Sequence, residues 1–108
     1  KKGVAMAMHM AETPVACMAC VQTAAATENF LALEFHSHDI VDTWSQLVTG
    51  LPMPLIEKGY IDVPYKPGLG FDGLNEDLIR ELNPAHPENI WVSTDEWNDW
   101  LSHDRLWS

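Results

Sequence analysis

Basic side chains are scarce in this 108-residue sequence. Six Lys and Arg stand against sixteen Asp and Glu, giving a formal net charge of −10. Such a chain offers no basic patch to a polyanion and no counterion release on binding, so neither nucleic acid nor an anionic membrane is an expected partner. Long apolar runs are missing as well. GVAMAM, residues 3–8, is opened by Gly3 and stops at His9, far short of the roughly 20 residues of a membrane-spanning helix. KKG leads directly into this run, which is too short and too Met-rich for a secretory signal. Cysteine is limited to Cys17 and Cys20, in an Ala-rich context. That pattern fits reduced thiols in a cytoplasmic protein and not a disulfide framework. Internal repeats and low-complexity tracts are absent too. What remains is at most one domain, with 46% hydrophobic residues available for a core.

The stretch that carries chemistry runs from His9 to Glu34. Strand side chains alternate faces, so Ala5, Ala7 and His9 share one side of the first apolar run while Val4, Met6 and Met8 share the other. In FLALE, residues 30–34, Phe30, Ala32 and Glu34 fall together, opposite Leu31 and Leu33. Both runs are apolar on both faces, as parallel strands covered by helices are, and each ends in an ionisable residue. Between them Thr13 and Pro14 read as N-cap and first helical residue, followed by the Ala-rich helix 16–26. Strand, helix and parallel strand predict one right-handed βαβ unit. In an α/β barrel, polar groups at the C-terminal ends of strands face the mouth of the active site. His9 and Glu34 are therefore the first candidates. His36 and His38, in the loop after the second strand, are candidates for substrate contact.

Farther on, Asp39 is expected to cap a helix with Ile40, Val41, Trp44, Leu47 and Val48 on a 3.6-residue period, ended by Gly50 and Pro52. Leu55–Glu57 and Tyr60–Val63 flank Lys58-Gly59 as a tight hairpin. Asn75 starts a short helix with Leu74, Leu78, Ile79 and Leu82 on one stripe. Residues 83–108 form a tail holding Trp91, Trp97, Trp100 and Trp107, four of the five tryptophans. Side chains of that size suit a segment clamped onto another surface, while Asp95, Glu96 and Asp99 read as a solvated face. Two predicted parallel strands do not complete a sheet. The order of elements reads as the C-terminal end of something larger, with 1–82 belonging to its main domain.

These residues carry a resemblance. His9, Pro14, Ala19, Gln22, Asn29 and Glu34, within HMAETPVACMACVQTAAATENFLALE, together with KPGLGFD at Lys66–Asp72, resemble the C-terminal portion of the mandelate racemase branch of the enolase superfamily. The likeness is greatest to acid-sugar dehydratases of the galactonate dehydratase kind and runs from about Lys1 to Leu82. It implies an α/β fold: the last two strands, helices and closing segment of a (β/α)₇β barrel of the TIM type, completed by the rest of the barrel and a capping domain. It also implies a homo-oligomer acting on a small sugar acid. By position His9 would be an acid/base catalyst, and Glu34 would hydrogen-bond the substrate carboxylate and stabilise the enediolate. The resemblance further implies Mg²⁺, with ligands on strands upstream of this chain, so that the segment alone would be inactive. A racemase or epimerase of the same branch is the alternative chemistry.

From a different class comes a small zinc-stabilised interaction module built on Cys17, Cys20, His36 and His38. His-x-His is shorter than the usual zinc spacing, and both cysteines fall inside the predicted helix, which favours inert buried thiols. Gly68-x-Gly70-x-x-Gly73 matches a dinucleotide fingerprint by letters, but Pro64 and Pro67 interrupt the strand that motif requires, which leaves turn-forming glycines.

Overall fold

The computed structural model describes residues 3–36 and 43–83. The chain divides into two compact units, Lys1–Glu76 and Asp77–Ser108. The first opens with strand β1 (Met6–Met8), helix α1 (Pro14–Ala25) and strand β2 (Phe30–Leu33), and the two strands pair in parallel. Helix α1 starts where its sequence dictates. Thr13 is extended and its side chain accepts from the Ala16 amide at 3.4 Å, while Pro14 occupies the first turn, where its missing N–H costs nothing. Pro14, Cys17, Met18 and Val21 are the buried residues of α1, the i, i+3, i+4, i+7 stripe of a helix that packs along one side. Cys17, Met18 and Val21 build the core with Met10, Trp44 and Leu55, and Leu33, Phe35, Leu51, Ile61, Leu69 and Phe71 pack around it.

The register between the parallel strands is irregular, and the irregularity matters. Met6 is paired with Phe30, but Ala7 is paired with Ala32 and Met8 with Leu33, so Leu31 is an extra residue on β2. Paired residues point to the same face of a sheet. In an unbroken register from Met6 and Phe30, His9 would stand beside Leu33, with Glu34 on the opposite face. The bulge slips β2 by one residue. Ala7 then shares a face with Ala32, and the next step carries His9 to Glu34. The amide of Glu34 donates to the Met8 carbonyl at 2.8 Å, which fixes that last step. At the other end the Met6 amide donates to Asn29 O at 2.9 Å, and the Asn29 side-chain amide donates to Val4 O.

β2 is less covered than a two-sided apolar run leads one to expect. Phe30, Leu31 and Ala32 are all exposed, Leu31 at 69%. Among the described residues α1 covers one side of the pair and no second layer covers the other.

The expected helix over Ile40–Val48 is not formed in its described part; Asp39, Ile40 and Val41 lie outside the described residues. Trp44–Leu47 is a single 3-10 turn, and β3 (Val48–Thr49) follows at once, pairing antiparallel with β4 (Gly73–Leu74). Tertiary bonds override the local period here. The Asn75 amide donates to Leu47 O at 2.9 Å, its side-chain amide donates to Gln46 O at 3.0 Å, and the Asp72 amide donates to Thr49 O at 2.7 Å. β-branched Val48 and Thr49 suit the extended backbone. Gly50 turns the chain at φ +82°. A Cβ there would lie 2.2 Å from an Asp72 carboxylate oxygen, and Lys66 Nζ holds the other oxygen of that carboxylate at 2.8 Å.

The hairpin is present as a turn and not as a ladder. Glu57 and Tyr60 exchange both backbone hydrogen bonds, at 2.9 and 3.0 Å, around Lys58 and Gly59 at φ +53° and +84°, the signature of a type I′ turn. Beyond it, Gln22 on α1 donates to Pro64 O at 3.3 Å, and Gly70 passes so close to Pro64 that a Cβ would sit 2.0 Å from its ring. Helix α2 (Glu76–Leu82) supplies most of the described part of the second unit, with Arg80 3.6 Å from Asp77 one turn back. The four tail tryptophans lie outside the described residues.

Candidate active site at the ends of the parallel strands

His9 and Glu34 come together just past the C-terminal ends of β1 and β2. The His9 Nδ1–H donates to Glu34 Oε2. One proton on Nδ1 leaves Nε2 as the ring nitrogen available for proton transfer, a tautomer assigned from the hydrogen bond. Both groups are accessible, His9 at 71% and Glu34 at 49% of the side chain. A third ionisable group joins them. Phe35 turns into the core and Glu34 and His36 flank it, so the alternation of extended backbone brings both polar side chains to the outer side. His36 Nε2 lies 3.9 Å from Glu34 Oε1, and the His36 ring is centred 6.3 Å from that of His9 at 55°. The carboxylate thus presents one oxygen to each imidazole.

Trp44 braces this arrangement from beneath. It is buried, its indole N–H donates to Glu12 O at 2.7 Å, and its ring takes the edge of Phe35 at a centroid distance of 5.4 Å. Glu12 follows His9 by three residues and Phe35 follows Glu34 directly, so one side chain fastens the outgoing chain of both strands. Sequence periodicity assigned Trp44 to the wrong element and gave no sign of this role. His38 lies outside the described residues.

The cysteines are placed for packing. Cys17 is fully buried in the core, and burial, with a smaller contribution from Cys20, pushes its thiol up to about 11. A thiol so held is a poor metal ligand and a poor nucleophile at neutral pH. Among the described residues no three His, Cys, Asp or Glu side chains gather as a metal site, so the zinc module finds no support there. Gly68 and Gly70 serve turns at positive φ, with no strand-to-helix junction of the dinucleotide kind. A cavity of about 480 Å³ opens between α1, β2 and the hairpin, with Val21, Phe30, Leu31, Tyr60, Ile61 and Val63 in its walls. Neither His9 nor Glu34 lines it, and its walls carry no carboxylate, imidazole, amine or thiol. It is an uncovered apolar surface and not a place for the chemistry. No described helix is long and apolar enough to cross a membrane.

The chain resembles known proteins over most of its length. Residues 1–77 match the family model described as Enolase C-terminal domain-like. A D-xylonate dehydratase of Haloferax volcanii is 43% identical over 67 residues, which are 62% of this chain and 16% of that relative. The chain therefore spans about a sixth of the length of the curated relative it matches. No solved structure gives a significant match.

Proposed function

The chain belongs to the Enolase C-terminal domain-like family, and from that premise we propose that it is the C-terminal part of a (β/α)₇β barrel in an acid-sugar dehydratase. The observation that carries the reading is the meeting of His9 with Glu34 across adjacent parallel strands. Two further features support it. The apolar surface left open along β2 suits continuation into a larger barrel, because a parallel pair cannot bury both faces alone. The relative named D-xylonate dehydratase favours elimination over racemisation and suggests a five-carbon sugar acid as substrate.

In the proposed reaction a base of the complete enzyme removes the proton from C2, next to the carboxylate, and the electrons pass into the carboxylate as an enediolate. Its collapse breaks the C3–oxygen bond. His9, protonated at Nε2, gives its proton to the departing hydroxyl, which leaves as water, and the resulting enol becomes a 2-keto-3-deoxy acid. Glu34 fixes the His9 ring through Nδ1. Its second oxygen, carrying a proton when substrate is bound, donates to the substrate carboxylate. The described residues do not fit the Mg²⁺ that the family resemblance implies. We assign its ligands, the C2 base and the capping domain to the rest of the enzyme, which we take to be a homo-oligomer.

The test is His9→Asn in the complete enzyme, assayed with D-xylonate for release of the 2-keto-3-deoxy acid. Asn fills similar space at an exposed strand end, so circular dichroism should be unchanged while turnover falls by at least about 10²-fold, the low end for loss of a general acid. Turnover within tenfold of the parent would remove His9 from the mechanism.

A further inference from the structure

Glu34 poses a problem that the paired carboxylate and histidine alone do not solve. A carboxylate cannot receive another carboxylate: two anions repel, and neither has a proton to donate. His9 Nδ1 already occupies Oε2, so Oε1 is the oxygen left for substrate. Among the described residues the nearest group to Oε1 capable of bringing a positive charge is His36, with Nε2 at 3.9 Å, and the backbone directs it there because Phe35 is anchored inward against Trp44. Among the described residues the titratable groups recorded facing His36 are Glu34 and, ring to ring at 6.3 Å, His9. The next ionisable residues along the chain, His38 and Asp39, lie outside the described set.

We propose that His36 is a positioning and specificity residue for the substrate carboxylate: it holds, with Glu34, the single proton that makes this end of the site receptive to an anion. The inference rests on the dehydratase reading above. In the free site the proton resides on His36 as an imidazolium paired with Oε1. When the substrate carboxylate arrives, His36 closes the 3.9 Å gap to hydrogen-bond distance and the proton passes from Nε2 to Oε1, leaving His36 neutral and Glu34 able to donate. No atom enters or leaves the pair, and its net charge is zero in both states. The site is therefore receptive only while the pair keeps its proton.

Three variants of the complete enzyme, with D-xylonate as probe, test this. His36→Ala should raise KM about fivefold, the upper end for a partly exposed pair, with kcat changed by less than twofold. His36→Lys keeps a cation beside Oε1 but is too weak an acid to give that oxygen a proton, so KM should stay raised about as far as in His36→Ala. Salt separates a charge effect from a packing effect. The KM difference between parent and His36→Ala should shrink severalfold between 0.1 and 1 M NaCl, as the Debye length falls from about 10 to 3 Å. An unchanged KM in His36→Ala, or a KM restored by His36→Lys, would overturn the inference while His9→Asn remained inactive. Full turnover in His9→Asn would instead overturn the reading beneath it.

Discussion

At the scale of single residues, Cys17 shows how position outranks identity. The sequence offered it as half of a Cys-x-x-Cys pair, and the i, i+3, i+4, i+7 stripe of α1 turns it into the core beside Met18 and Val21. Its thiol ionises at about 9.0 in an exposed chain and about 11 in the folded one, first because burial strips water from the thiolate and then because Cys20 stands near. The sign follows from linkage. The unfolded chain gives up this proton at lower pH, so the stabilising preference for the neutral thiol is fully present below pH 9 and is lost as pH rises toward 11. Unfolding by urea between pH 8 and 11 should show the parent losing roughly 2–3 kcal/mol more than Cys17→Ala, two units being worth about that much. Parallel curves for parent and variant would mean that the thiol is reached by water. His9 and Glu34, by contrast, were legible as residues because each closes an apolar alternation with an ionisable side chain.

At the scale of elements, that legibility had a limit. Parity assigned His9 and Glu34 to corresponding faces, yet parity cannot set the level at which two strands meet. The extra residue Leu31 does so, and nothing local marks it: there is no Gly or Pro in FLAL, and Leu is an ordinary strand residue. Helix α1 and the Lys58-Gly59 turn were readable because capping and positive-φ preferences act within a few residues. The 3-10 turn at Trp44 was not, because the bonds that convert a helical period into β3 come from Asp72 and Asn75, far along the chain. The same turn carries a prediction. Trp44→Phe retains a ring for Phe35 but removes the indole N–H that donates to Glu12 O. A part-buried carbonyl left without its donor should cost about 1–3 kcal/mol in urea unfolding. Because that bond fastens the chain just after His9, kcat of the complete enzyme with D-xylonate should fall further than KM changes. A variant as stable as the parent would show that water replaces the indole.

At the scale of the whole molecule the governing quantity is charge. A net charge of −10 on 108 residues means that most pairwise electrostatic encounters in the folded chain are repulsive, which destabilises a compact state. The attractive pairs recorded among the described residues are few and exposed: Lys66 with Asp72, Arg80 with Asp77, and the histidines with Glu34. Exposed pairs of this kind contribute little, so screening removes more repulsion than attraction. Raising NaCl from 0.01 to 1 M shortens the Debye length from about 30 to 3 Å. The melting temperature followed by circular dichroism should therefore rise, on the order of 5 °C if about 1 kcal/mol of repulsion is relieved. Salt also strengthens apolar burial, and a second measurement separates the two contributions. Glu57 and Asp62 are exposed, so the double variant Glu57→Gln with Asp62→Asn removes two negative charges without touching the core. It should melt higher than the parent at 0.01 M NaCl and gain less from added salt, the two curves converging near 1 M. Parallel curves would assign the salt effect to burial alone, and a melting temperature that fell with salt would show that the few ion pairs outweigh the excess of carboxylates.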